Sequence, residues 1–233
     1  MRIIGIIGAM DEEVNRLKEE MEDVEIESVA SMDFYKGSFN GVPLVVVRSG
    51  IGKVNAALCT QILIDRYKID LVINTGIAGS LRNEIDIADI VLSTDAIQHD
   101  MDATGFGYKV GVIPRMEESV FKADMDLVNL AKKACNKVLP DCGVHMGRVL
   151  SGDQFISDSK KKDWLINTFD GYCTEMEGAA IAQAAYLNNI PFLIIRAISD
   201  KADNSAQMAY SEFEALAIDN TVTLLKELIK QIN

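Results

Sequence analysis

Short apolar runs alternate with longer segments of helical periodicity along most of the chain. Six runs rich in branched aliphatic residues predict buried strands at residues 3–8, 44–47, 71–73, 90–92, 149–150 and 192–195. The intervening segments predict helices at about residues 11–20, 53–67, 119–138, 157–167, 177–188 and 211–231. Such an alternation is typical of an α/β protein whose mostly parallel sheet is covered by helices.

One pair of predicted strands is antiparallel. Asn40 and Gly41 separate two strand-like runs within residues 34–47, and Asn-Gly is a strong signal for a tight β-hairpin. We therefore predict an α/β three-layer sandwich with a central mixed, mostly parallel twisted sheet flanked by helices. No repeat, low-complexity tract or Pro/Gly/Ser-rich linker interrupts the pattern, so residues 1–233 are expected to form a single domain.

Composition narrows the class of protein. A net charge of -12 would repel a phosphate backbone, so nucleic acid is not an expected partner. The apolar run at residues 3–10 is too short to span a bilayer and leads into acidic residues, so it predicts a strand and neither a signal peptide nor a membrane segment. The four cysteines lack C-x-x-C spacing, which favours reduced thiols, a cytoplasmic location and no zinc site.

Polar residues follow most of the predicted strands. Ligands of open α/β sheets bind beyond the carboxyl ends of the strands, which directs attention to residues 9–13, 49–53, 74–79, 151–153, 175–177 and 199–200. The first glycine turn lacks G-x-G-x-x-G, which argues against NAD, and residues 50–53 only partly match a phosphate-binding loop. With two histidines in the chain, His99-Asp100 is a weak candidate for metal binding. No metal or cofactor is expected.

Each candidate acidic residue has a structural interpretation beside the functional one. Glu13 and Glu177 open predicted helices, where carboxylates stabilise the helix dipole. Glu177 also follows a strand, and its carboxylate could accept both hydroxyls of a ribose diol. Asp200 ends the most apolar strand, either as a helix cap or as a desolvated acid that gives up a proton. Arg196, within the same strand, needs a buried acidic partner.

A cluster of three lysines also has two interpretations. Lys160, Lys161 and Lys162 could form a basic patch, but the neighbouring Asp158 and Asp163 favour a solvated helix face.

Several blocks in a fixed order carry a family resemblance across nearly the whole chain. They are residues 5–10 with Glu13, 49–54, 74–76, 78–79, 99–100, 106–108, 151–153, 155–156, 175–177 and 196–200. With these blocks the chain resembles the 5'-methylthioadenosine/S-adenosylhomocysteine nucleosidases of the purine and uridine phosphorylase superfamily. The resemblance implies hydrolysis of the N-glycosidic bond to adenine and a 5-thioribose product, in methionine salvage and S-adenosylmethionine recycling.

The same resemblance implies roles for individual residues. Glu13 would activate the attacking water with help from Arg196, and Asp200, oriented by Ser199, would protonate adenine at N7. The substrate would be held by Glu177 and the Met176 backbone at the ribose, by Phe155 and the Ile156 backbone at adenine, and by Met10, Phe106, Tyr108 and Tyr210 around the 5'-substituent. Ala78, Gly79 and Glu175 complete the implied substrate-binding set. The region of residues 103–114 is expected to reach in from a second subunit, which makes a homodimer the expected assembly.

Three alternatives stay open at the level of the sequence. A nucleoside phosphorylase would need a cationic phosphate site, whereas the first glycine turn here contains Asp11, Glu12 and Glu13. A hydrolase of futalosine or 5'-deoxyadenosine would share the fold. A non-catalytic nucleoside-binding or storage protein is expected to lose one of the acidic residues Glu13, Glu177 and Asp200, all of which this chain keeps. Ile77, Tyr210 and Ala103 depart from residues common in the family, which bears on the 5'-side pocket.

Overall fold

A computed structural model describes residues 2–232. The strands are β1 Ile4–Gly8, β2 Glu22–Val29, β3 Met32–Phe39, β4 Val42–Arg48, β5 Leu71–Ser80, β6 Ile90–Gln98, β7 Phe121–Lys122, β8 Val144–Ser151, β9 Cys173–Glu175 and β10 Phe192–Asp200. The helices are α1 Asp11–Glu19, α2 Lys53–Tyr67, α3 Met125–Val138, α4 Ser159–Phe169, α5 Gly178–Leu187 and α6 Ala206–Ile229, with a short 3-10 turn at Thr104–Phe106.

All ten strands belong to one mixed sheet, as the sequence predicts. Strands β4, β1, β5 and β10 lie side by side in that order and run parallel to one another, while β2, β3 and β4 form an antiparallel meander. On the other side, β10 pairs with β6, β6 with β8, β8 with β9, and β9 returns to β5. This half of the sheet therefore closes on itself, a feature that periodicity does not predict.

Helices cover both faces of the sheet. Helix α6 packs against β5 and β10 and against α1 and α3, while α2 and α5 pack together on the opposite side. Every residue of β1, β5 and β10 is buried. Continuous apolar runs are what strands covered on both faces require, so the central strands are also the ones the sequence predicts most clearly.

The predicted apolar runs and hairpin leave out β2, β7 and β9, and β2, the longest of these three strands, has an unusual pattern. Strand β2, with Glu22, Glu25 and Glu27, is exposed along almost its whole length and lies at the open edge of the sheet. Charged residues on an edge strand prevent pairing with other chains, and they also remove the alternation by which a strand is recognised.

Several predicted boundaries are wrong in an informative way. Strand β5 continues to Ser80 and β10 to Asp200, so their polar motifs lie within the strands and not after them. The helix predicted from residue 119 begins at Met125, because Asp124 caps it by accepting hydrogen bonds from two backbone amides at 3.0 Å. The last helix begins at Ala206, five residues before the predicted start at 211. No helix within residues 2–232 is both long enough and apolar enough to cross a membrane.

Candidate active site

A cavity of about 490 Å³ lies at the carboxyl ends of β1, β5, β9 and β10. Most residues that the sequence predicts for the site line this cavity: Met10, Glu13, Ala78, Gly79, Phe155, Glu175, Met176, Glu177, Ser199, Asp200 and Tyr210. The sheet therefore brings together side chains that are separated by up to 200 positions along the chain.

Glu13 occupies the floor of the cavity and is 2% exposed. It is the third residue of α1, and its carboxylate reaches back to accept hydrogen bonds from the backbone N–H groups of Ala9 at 2.6 Å and Met10 at 3.0 Å. A third N–H, from Ile77 on β5, approaches at 3.3 Å. Burial raises the pKa of Glu13, while the nearby Arg196 guanidinium and these three amides oppose the rise.

Arg196 is the buried cation of the site, with 1% of its surface exposed. Its guanidinium donates to Asn74 at 2.6 Å and to Glu175, and it lies 3.7 Å from a carboxylate oxygen of Glu177. Arg196 pairs across the sheet with Gly76, where a Cβ atom would collide with both the guanidinium and the Glu13 carboxylate. The predicted acidic partner of Arg196 is therefore Glu175, and a glycine provides the space for the pair.

Glu175 and Glu177 differ in how far the protein satisfies their oxygens. Glu175 accepts hydrogen bonds from Arg196, the Ser151 hydroxyl and the backbone amides of Glu177 and Gly178 at the start of α5. Glu177 accepts one hydrogen bond, from the Gly52 amide at 2.8 Å. Burial and the neighbouring Glu175 raise the pKa of Glu177, with Arg196 opposing. Glu177 thus retains acceptor capacity for a ligand, whereas Glu175 orients the network.

Asp200 lies at the end of β10 and is 2% exposed. A β-bulge between Ile198 and Asp200 shifts the register against β5, and both Ser199 and Asp200 line the cavity although they are consecutive. The carboxyl group accepts hydrogen bonds from the Ser199 hydroxyl at 2.8 Å and the Ala202 amide at 2.7 Å. Burial raises its pKa despite these two donors.

Aromatic side chains border the opening of the cavity. Phe155 is 51% exposed and meets the edge of the Tyr210 ring, with 6.0 Å between ring centres. The Tyr210 hydroxyl donates to Glu214 at 2.9 Å and lies 3.5 Å from the Met10 sulfur. Ile156 is buried and lines an adjoining cavity of about 30 Å³ together with Phe155 and Asp200.

Four of the predicted site residues lie outside the wall of the 490 Å³ cavity, namely Ile156, which lines the adjoining cavity, and Arg196, Phe106 and Tyr108. Arg196 contacts the carboxylates of Glu175 and Glu177 without lining the cavity itself. Phe106 is 87% exposed and Tyr108 is 37% exposed, and neither lines the cavity within one chain. The structure places both on the loop that the sequence analysis expects to reach into a neighbouring subunit.

Sequence reasoning missed other residues of the cavity wall. Gln207 and Ser211 line it beside Tyr210, and Ile51 lines it from the turn before α2. Positions 207, 210 and 211 share one face of a helix, so their spacing would have indicated a common surface. The signal was lost because the helix was predicted to begin at residue 211. Within residues 2–232, no three His, Cys, Asp or Glu side chains converge as a metal site.

The family model of the Phosphorylase superfamily matches residues 3–230. A 5'-methylthioadenosine/S-adenosylhomocysteine nucleosidase from Exiguobacterium sp. is 42% identical over 230 residues, which cover 98% of each chain. The crystal structure of the enzyme of that name from Neisseria meningitidis, in complex with methylthio-immucillin-A, covers 100% of both chains with a TM-score of 0.95 and 37% identity. The chain belongs to the phosphorylase superfamily and, within it, to the family of 5'-methylthioadenosine/S-adenosylhomocysteine nucleosidases.

A related hydrolase has a similar fold. The native structure of futalosine hydrolase from Helicobacter pylori covers 99% of this chain and 98% of its own, with a TM-score of 0.94 and 31% identity. Overall likeness of fold therefore does not separate these two hydrolases, and the site must do so.

Proposed function

We propose that this protein hydrolyses the N-glycosidic bond of 5'-methylthioadenosine and S-adenosylhomocysteine, releasing adenine. The observation that carries the proposal is the convergence of Glu13, Glu177 and Asp200 on one cavity in three different surroundings. Glu13 is held by three backbone amides, Glu177 keeps free acceptor capacity, and Asp200 is paired with a hydroxyl. Carboxyl groups in different environments can hold different protonation states at one pH.

Asp200 serves as the acid of the reaction. Its pKa is raised by burial, so it keeps its proton to a higher pH than an exposed aspartate. The proton passes from Asp200 to N7 of the purine while the electron pair of the bond between the sugar C1' and the purine N9 moves to the base. Adenine thus leaves as a neutral molecule. The carboxylates of Glu13 and Glu177 then stabilise the positive charge that develops on the ribose ring.

Glu13 serves as the base that activates water. A water molecule attacks C1', and the carboxylate of Glu13 takes its proton, so the products are adenine and the free thioribose. The three amides and Arg196 favour the ionised form of Glu13 against the effect of burial. Glu177 accepts the ribose hydroxyls, and those donors favour its ionised form in the complex.

The distribution of arginines favours hydrolysis over phosphorolysis. Arg196 is already paired with Glu175, and Arg48 forms an ion pair with Asp11 at 3.2 Å and does not line the cavity. An attacking phosphate dianion would therefore meet Glu13 and Glu177 without an unpaired arginine beside them. Water, a neutral nucleophile, does not meet this repulsion.

The test is the chromatographic detection of adenine from 5'-methylthioadenosine in phosphate-free buffer. We expect full turnover with free methylthioribose as the second product. An absolute need for phosphate, with methylthioribose 1-phosphate as the product, would overturn the proposal. Side-by-side rates on futalosine and 5'-deoxyadenosine test the alternative substrates, and a higher kcat/KM for futalosine would establish the other hydrolase.

We also infer that the active form is a homodimer. Val54 on α2 and Leu187 on α5 are 79% and 61% exposed and line the same surface depression. Leu58 lies one turn after Val54, and Ile51 connects this apolar face to the wall of the cavity. An apolar surface that adjoins the site is suited to a second copy of the chain, whose Phe106 would then close the opening of the cavity.

The proposal also covers the domain organisation and the location of the protein. One continuous sheet accounts for the strands from β1 to β10, which supports a single domain over residues 1–233. All four cysteines are free thiols, which supports work in a reducing compartment such as the cytoplasm.

A further inference from the structure

One buried charge near the active site has no role in the mechanism above. Lys160, Lys161 and Lys162 lie in the first turn of α4, and the sequence predicts a solvated face for all three. Lys160 is exposed, and the ammonium group of Lys161 lies 4.1 Å from the centre of the Trp164 ring. Lys162 instead is 7% exposed, so the prediction is wrong for this residue. Lysine is almost never buried to this extent unless it is paired.

The buried ammonium group has a backbone partner and no carboxylate partner. Lys162 Nζ donates to the carbonyl oxygen of Lys201 at 2.6 Å. Among the ion pairs of residues 2–232, none includes Lys162. The charged groups that face its ammonium from nearby are the carboxylates of Asp203, Asp163 and Asp200 and the ammonium of Lys201. Lys162 is therefore directed at the residue that immediately follows the acid Asp200.

A second contact joins the same two segments. The backbone N–H of Ser159, the first residue of α4, donates to the side chain of Asn204 at 3.3 Å. Helix α4 thus holds residues 201–204 at two points. Helix α4 also follows Phe155 and Ile156 in the chain, so it links the loop at the purine end of the cavity to the segment after Asp200.

The charge of Lys162 matters most after Asp200 has lost its proton. The carboxylate that remains is buried, and the Ser199 hydroxyl and Ala202 amide donate to it. The neighbouring Asp203 disfavours this carboxylate, whereas the positive charge of Lys162 favours it. A fixed positive charge near a developing anion lowers the free energy of proton transfer.

Resting on the proposed function, we propose that Lys162 is a positioning residue for Asp200. It fixes the Lys201 carbonyl and thereby the segment beyond the β-bulge, and its charge favours the carboxylate that Asp200 becomes as the proton passes to the purine. The residue acts through Asp200 and does not contact the substrate.

The test compares pH–rate profiles of the full-length enzyme with 5'-methylthioadenosine as substrate. Lys162→Met keeps much of the apolar stem but removes the charge, Lys162→Arg keeps the charge, and the exposed Lys160→Met is the matched control. Asp200 acts in its protonated form, so the rate falls as the pH rises through its pKa. Loss of a nearby positive charge raises that pKa, which moves the alkaline limb to higher pH.

We expect Lys162→Met to lower kcat about 10-fold and to move the alkaline limb upwards by on the order of 0.5 pH unit. Lys162→Arg should return the limb to its parental position, and Lys160→Met should leave both quantities unchanged. Lys162→Gln, which keeps a hydrogen-bond donor without the charge, replaces Lys162→Met if that variant does not fold, and its limb should move in the same direction.

An alkaline limb that stays at the parental pH in the folded uncharged variant would overturn the role of Lys162. A limb that moves equally in Lys162→Arg would also overturn it, because the charge would then not be the cause. A parental enzyme that releases no adenine would refute the proposed function itself, which separates the two failures.

Discussion

At the scale of single residues, the site depends on the hydrogen bonds and charges that surround four carboxyl groups, those of Glu13, Glu175, Glu177 and Asp200. Asp200 and Glu13 are equally buried. Asp200 accepts hydrogen bonds from one hydroxyl and one backbone amide, whereas Glu13 accepts hydrogen bonds from three backbone amides and lies near the Arg196 guanidinium. The carboxylate of Glu175 accepts several hydrogen bonds from the protein, whereas that of Glu177 accepts one. The sequence identifies all four as candidates, but the hydrogen-bond donors and charges around each carboxyl group are what distinguish the proposed acid, base, ribose ligand and supporting residue.

Replacing Asp200 with asparagine tests the assignment of the acid. The amide has no acidic proton to deliver, so we expect kcat for 5'-methylthioadenosine to fall by more than about 10²-fold in a folded protein that still binds the substrate. A nucleoside with an activated leaving group needs less protonation and should recover much of the rate. Steady-state kinetics on both substrates measure these effects, and circular dichroism checks that the variant is folded. Equal losses on the two substrates would make Asp200 a structural residue.

At the scale of elements, two neighbouring strands create the space in which the acidic network forms. Gly76 on β5 stands opposite Arg196 on β10, and the register of these parallel strands fixes the pair. The sequence shows Asn74-Thr75-Gly76 as a polar motif and predicts it to follow the strand. The structure places this motif inside β5, because β1 pairs with β5 as far as Asn74 and β10 pairs with all three residues of the motif.

Adding one methyl group at Gly76 tests this arrangement. In Gly76→Ala the new Cβ would collide with the Arg196 guanidinium and the Glu13 carboxylate, both of which are buried and held by other partners. We expect kcat to fall by about 10²-fold and the free energy of unfolding to fall by about 1–3 kcal/mol. Urea unfolding and adenine release measure the two effects. Parental values of both would show that the pair can move aside without cost.

At the scale of the whole molecule, the exposed apolar face of α2 and α5 is the feature that one chain leaves unexplained. A face of this kind adjoining the cavity gives the proposed dimer a role in closing the site. Phe106 and Tyr108, which the family resemblance assigns to the substrate, lie away from the cavity of their own chain. The proposed dimer would account for both observations.

A charge introduced into this face tests the dimer. Leu187→Glu would bury a carboxylate between the two copies, so we expect monomers in sedimentation velocity and a higher KM through loss of the partner's contacts. Leu216→Glu, which alters an exposed leucine of α6, is the matched control and should leave the mass and KM unchanged. A dimer that survives Leu187→Glu with unchanged kinetics would move the interface to another surface.

The sequence by itself determines the fold class through local patterns. Those patterns together with the family resemblance predict most of the site residues that the structure brings to the cavity. Continuous apolar runs specify strands covered on both faces, and Glu13 and Asp200 stand near the ends of two such runs, whereas Glu175 ends the short strand β9. Even Arg196 could be assigned an acidic partner, because an unpaired buried guanidinium is too costly to persist.

Only the tertiary structure decides which partner each group receives. The closure of β5, β10, β6, β8 and β9 into a ring, the bulge before Asp200 and the inward turn of Lys162 depend on pairings between distant segments. Lys162 makes the reason plain, since three adjacent lysines look alike in sequence while the carbonyl that one of them binds lies 39 residues away. Burial and hydrogen-bond partners are properties of the packed chain, and they set the protonation states on which the chemistry depends.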